Sequence, residues 1–170
     1  MSSLDSGNSW ITVVMDDLAS LRADAVVRQA DADLGPADPT AILLDAMGGD
    51  AFALLRRNTT PLEAGAAVVT GGGDLRTPLV LHIVVSDPVR KVGRELLRKG
   101  LVSAWQRAGD WGLTTIATPL VGVGTGQLTL QESATLLVET FPKGGESRLQ
   151  IVVTREADLA AVEAIVRRTT

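Results

Sequence analysis

Short β-branched runs alternate along the chain with longer stretches in which apolar residues recur every three or four positions. That is the signature of strands alternating with helices. Strands are predicted over 10–14, 24–28, 65–70, 79–85, 113–118 and 149–153. Asp38-Pro39 reads as a helix start, with Asp as the cap and Pro in the first turn. Gly48-Gly49 should break that helix, leaving Asp50 to open a short second piece through Arg57. A second helix is expected over 89–109, after the cap-and-proline sequence Ser86-Asp87-Pro88, with apolar residues at 92, 96, 97, 101, 104, 105 and 108. Thr129 and Glu132 match a capping box opening a third helix to about Phe141. A fourth, over 156–168, carries Glu156 and Asp158 in its first turn and Arg167-Arg168 in its last, as the helix dipole favours. Residues 1–8 are small and polar and read as a flexible lead-in, and 9–170 as one domain without repeat or linker. Strand and helix alternating throughout imply a three-layer α/β/α domain with a mostly parallel sheet.

Composition narrows the chemistry. The 170 residues are 45% hydrophobic and 21% charged, which is globular, but only Trp10, Phe52, Trp105, Trp111 and Phe141 are aromatic. The core is therefore aliphatic, with Trp105 on the stripe of its helix and Trp111 expected to pack the turn beyond it. There is no Cys and a single histidine, His82, so disulfides, thiolate metal sites and a Cys nucleophile are excluded and no metal site is expected. His82 sits inside an apolar strand, where a buried, hydrogen-bonded structural role outweighs a general base. A net charge of −4 gives no electrostatic footprint for nucleic acid. No apolar run is long enough for a membrane span, and no secretion signal is visible, so a cytoplasmic location is the expectation.

The most informative stretch is 113–141: an apolar strand, a turn containing Gly122, Gly124 and Gly126, then a capped helix. Such a turn lets backbone N–H groups approach an anion, and ligands of open α/β sheets sit beyond the carboxyl ends of strands. The spacing is neither a dinucleotide fingerprint nor a phosphate loop with its Lys, so a plain tight turn explains it equally well.

The whole of 11–168 resembles the macrodomains, which bind ADP-ribose and related metabolites. The resemblance is carried in order by Val13-Val-Met-Asp-Asp-Leu18 with Asp24-Ala-Val-Val27, by Glu63 to Leu75, by Leu79-Val-Leu-His82 and by Thr115 to Gly126. It implies a mixed, mostly parallel sheet between helical layers and no cofactor. It also implies that Asp17 accepts from an adenine amine, beside the Leu18 N–H, and that Gly122, Val123, Gly124, Thr125 and Gly126 hold a diphosphate. Val123 stands where the family often has Thr. Gly126 stands where many members pack an aromatic ring on the distal ribose.

The first binding loop departs further. Arg28-Gln29-Ala30-Asp31 replaces Asn-Ala-Ala-Asn, and 34–42 holds one Gly and two prolines in place of a glycine run. Proline has no N–H to offer a phosphate. Asp31 replaces the Asn that orients the distal ribose and adds negative charge, which Arg28 offsets only if its side chain faces the cleft. Among members that hydrolyse ADP-ribosyl bonds, that Asn and an Asp of the glycine run activate water. Neither is matched, leaving Asp31 as the candidate base; Asp33 and Asp38 read better as a turn former and a helix cap. Three functions follow: a binder of ADP-ribose or an ADP-ribosylated macromolecule with little or no turnover, a hydrolase using Asp31, or a ligand-free scaffold for protein interaction.

Overall fold

The computed structural model describes residues 10–58, 60–86 and 93–169. Six strands form one sheet: β1 (Ile11–Met15), β2 (Ala25–Ala30), β3 (Ala67–Gly71), β4 (Leu79–Val84), β5 (Thr115–Thr118) and β6 (Arg148–Val153). Their order is β1-β6-β5-β2-β4-β3. Every pairing is parallel except β3 with β4, which makes the sheet mixed and mostly parallel as expected.

Helix α1 (Pro39–Leu55) covers one face of the sheet. Helices α2 (Arg94–Asp110), α3 (Leu130–Thr140) and α4 (Glu156–Thr169) cover the other. Leu44 and Phe52 of α1 pack on Val26, Val80, Ala117 and Val152, while Leu97, Leu101, Leu137 and Val162 close the opposite core. Strand β2 is buried at all six positions, because a central parallel strand has both faces covered.

The local signals act where they were expected. Asp38 caps α1 by accepting from the Ala41 N–H at 2.8 Å, with Pro39 in the first turn. Gly49 kinks α1 at φ 68°, a backbone conformation that side chains disfavour. Thr129 and Glu132 form the reciprocal capping box of α3. The start expected for the second helix at Asp87-Pro88 lies outside the described residues. Trp105 is buried edge-on to Phe141, whereas Trp111 is 56% exposed at the end of α2. Among the described residues, no helix is long and apolar enough to cross a membrane.

Candidate functional site

Parallel strands β1, β5 and β6 end on one edge of the sheet, and the turns that leave them form a cleft of about 220 Å³. Asp17 and Leu18 follow β1; Pro119, Leu120, Val123 and Gly124 follow β5; Val152, Val153 and Thr154 end β6. Thr40 and Leu43 of α1 and Asp158 of α4 complete the lining.

Four of the residues anticipated for binding meet there: Asp17, Leu18, Val123 and Gly124. Asp17 is held by its own turn, its Oδ1 accepting from the Ala19 N–H at 3.0 Å. Its second oxygen and the neighbouring Leu18 N–H have no hydrogen-bond partner among the described residues. An acceptor beside a donor is what the edge of a nucleobase can pair with. The lining carries two carboxylates, Asp17 and Asp158, and no Lys or Arg. Asp158 is paired with Arg155 at 3.1 Å.

The glycine turn divides. Gly122 is buried at φ 78°, and its N–H donates to Gln29 Oε1 at 3.0 Å. The Gly126, Gln127 and Leu128 amides donate back into the turn, to the carbonyls of Val123 and Gly122. The Gly124 and Thr125 amides alone in 124–128 have no partner among the described residues. Thr125 and Gly126 are exposed and lie outside the cleft lining, and the Thr125 hydroxyl donates to Gln127 Oε1 at 2.9 Å.

The first loop, 30–38, is folded onto itself. Ala30 bridges Pro36, and the Ala37 N–H donates to the Gln29 carbonyl at 3.1 Å. Asp31 Oδ1 accepts from the Asp33 and Gly35 amides at 2.9 and 2.8 Å. The candidate base therefore shapes its own turn, as Asp33 and Asp38 were expected to do, and it does not line the cleft. Leu34 takes a φ of 63° inside this turn, its side chain buried.

Arg28 faces α1 and not the cleft. It is 1% exposed, forks onto Asp45 at 2.8 and 2.9 Å, and donates to the Leu34 carbonyl at 3.0 Å. Arg56 joins Asp45 at 3.4 Å, and both guanidiniums lie on the Phe52 ring. Arg28 Nη1 also meets His82 Nδ1 at 3.1 Å, and His82 Nε2 meets the Thr70 hydroxyl at 2.7 Å. Arginine can only donate, so Nδ1 must be the acceptor and Nε2 carries the proton. Burial, then Arg28 and Arg56, push the His82 pKa down to about 3. His82 is the neutral, structural histidine its strand implied.

Gln29 and Asp38 are the residues that sequence reading passed over as a pair. Gln29 Nε2 donates to Asp38 Oδ2 in a short contact while its Oε1 holds Gly122. Burial raises the Asp38 pKa above the ordinary carboxylate value, against the Ala41 amide, Gln29 and Arg28, which lower it. A polar residue at the end of a wholly buried strand was the available signal, since such a side chain must find partners. Among the described residues no group of acidic or imidazole side chains could hold a metal.

The comparisons with known proteins agree with this architecture. An uncharacterized protein of Aeropyrum pernix is 28% identical over 152 residues, 88% of this chain and 80% of its own length. The O-acetyl-ADP-ribose deacetylase 1 of Pantoea vagans is 26% identical over 139 residues, covering 77% of this chain and 80% of that protein. The Trypanosoma brucei macrodomain solved in complex with ADP-ribose superposes with a TM-score of 0.79 at 20% identity, over 92% of this chain and 69% of that one. An Oceanobacillus iheyensis macrodomain mutant with ADPR gives 0.77 at 18% identity, over 92% and 91%. The family model for the macro domain matches residues 43–137, from the body of α1 through the glycine turn into α3. The chain belongs to the macro domain family.

Proposed function

We propose that this chain binds ADP-ribose or a related nucleotide-diphosphate ligand in the cleft at the carboxyl ends of β1, β5 and β6. One observation carries the reading: Asp17 and Leu18 from the start of the chain meet Val123 and Gly124 from its second half in a single cavity. The free oxygen of Asp17 and the Leu18 N–H suit the amine and ring nitrogen of adenine. The unpartnered Gly124 and Thr125 amides suit a phosphate oxygen. The ligands named for the Trypanosoma brucei and Oceanobacillus iheyensis structures support the same class.

Binding without turnover is the form the reading takes. Asp31 spends one carboxylate oxygen on two amides of its own loop and does not line the cleft. The ADP-ribosylated macromolecule remains the natural source of such a ligand. Isothermal calorimetry with ADP-ribose tests the reading. We expect saturable heat with the wild type and none with Gly124→Glu, whose side chain would occupy the phosphate position. Absence of heat with folded wild-type protein at high micromolar ligand would reject it.

A further inference from the structure

The cleft is short for the ligand class it belongs to. At about 220 Å³ it lies below the roughly 300–1,000 Å³ of sites that enclose a drug-sized molecule, and its lining stops at Gly124. The Pro39 ring lies 3.4 Å from where a Cβ on Gly124 would stand, so the start of α1 sits directly against the glycine turn.

Behind this contact Gln29 acts as a buried staple. It is 3% exposed, takes the Gly122 N–H on one side at 3.0 Å, and gives its own N–H to Asp38 on the other. Asp38 in turn is fixed by capping α1, through the Ala41 N–H at 2.8 Å. The end of β2, the start of α1 and the glycine turn are thereby tied together. The amides of Asp31, Asp33, Gly35 and Ala37 are all spent inside the first loop, and Pro36 and Pro39 have none. Those four amides are not offered to a second phosphate or a distal sugar, and no Lys or Arg lines the cleft to balance further negative charge.

Resting on the nucleotide reading above, we infer that the site recognises only the adenosine 5′-monophosphate half of its ligand. A second phosphate or a distal ribose stays outside, whatever larger molecule carries it. Gln29 is the positioning residue that closes the distal side, acting through the Gly122 amide and Asp38.

Calorimetry with AMP, ADP and ADP-ribose on the wild-type protein decides the matter. The inference expects ADP-ribose to bind no more than tenfold tighter than AMP. ADP-ribose binding more than tenfold tighter than AMP would overturn it while leaving the nucleotide reading intact. Failure of all three ligands to bind would remove the reading and the inference together. Gln29→Ala then tests the staple: the ratio of ADP-ribose to AMP affinity should rise at least threefold, a shift that mere loss of stability does not produce. An unchanged ratio in folded Gln29→Ala, or in Pro39→Gly should that variant fail to fold, would reject the closing role.

Discussion

His82 should make the fold sensitive to mild acid, because the imidazole is locked in its neutral form. Its Nδ1 must accept from Arg28 while its Nε2–H donates to Thr70, and Phe52 stacks on the ring with centroids 5.9 Å apart. Protonating Nδ1 would set two donors against each other beside two guanidiniums. The pKa accordingly falls from 6.5 to about 3. Between those values the unfolded chain binds one proton that the folded chain refuses, so stability falls as pH falls. Full protonation of the unfolded histidine costs about 1.4 kcal/mol for each unit below 6.5, which amounts to about 2 kcal/mol between pH 7.5 and 5.0. Asp38, with its raised pKa, works in the opposite sense, gaining stability as the pH falls through its folded value. Asp24, held low mainly by Thr114, loses its contribution only as the pH falls below the ordinary carboxylate value. Urea unfolding of wild type and His82→Gln across this range isolates the histidine, since both carboxylates are common to the pair. The wild type should lose about 2 kcal/mol more than the variant over that range. With one histidine in the chain, its ring-proton resonance can also be followed by NMR without assignment. Parallel pH slopes in the two proteins, or a ring that titrates near 6.5, would refute the reasoning.

Two further substitutions probe the elements that frame the cleft. Arg28→Met leaves Asp45 with Arg56 alone at 3.4 Å, and leaves the Leu34 carbonyl and His82 Nδ1 without the Arg28 donor; a loss of about 3 kcal/mol is expected in urea unfolding, and a loss under about 1 kcal/mol would show that Arg56 suffices. Gly122→Ala forces a side chain onto a φ of 78°, with its Cβ 2.9 Å from Leu97 Cδ1 and 3.0 Å from Leu128 Cγ; about 2 kcal/mol should be lost, seen as a fall of roughly 4–8 °C in Tm, and an unchanged Tm would mean the turn relaxes freely.

Much of the architecture was legible because its signals are local. Asp38-Pro39, Gly48-Gly49 and the Thr129–Glu132 pair each act within a few residues of where they stand in the chain. The cleft was legible in part for a different reason: the resemblance supplied Asp17, Leu18 and the glycine turn together, and the sheet order then brought β1 and β5 to either side of β6. What could not be read was how the turn spends its amides. Gly122 and Gly124 are equivalent in the sequence, yet one is buried against Leu97 and Leu128 and gives its N–H to Gln29, while the other faces the cleft with its N–H free. That difference is set by Gln29, which is remote in sequence and offers no periodicity to betray its partners. Trp111 shows the same limit in reverse: it follows the apolar stripe of α2 in sequence, but the helix ends at Asp110 and leaves the ring in solvent.

The departures at 28 and 29 are best understood as consequences of burial. Strand β2 lies between β5 and β4 with both faces covered, so a polar side chain on it must be fully satisfied or the strand is destabilised. Arg28 and Gln29 point to opposite faces, and each finds its partners on a different element. Arg28 takes Asp45, the Leu34 carbonyl and His82 under α1; Gln29 takes Asp38 and the Gly122 amide under the glycine turn. The first arrangement fixes the helix that borders the cleft, and the second ties the end of β2 to the glycine turn and the start of α1. Gln29 cannot be removed without leaving the Gly122 N–H in need of an acceptor. In this protein the side chain of Gln29 is that acceptor.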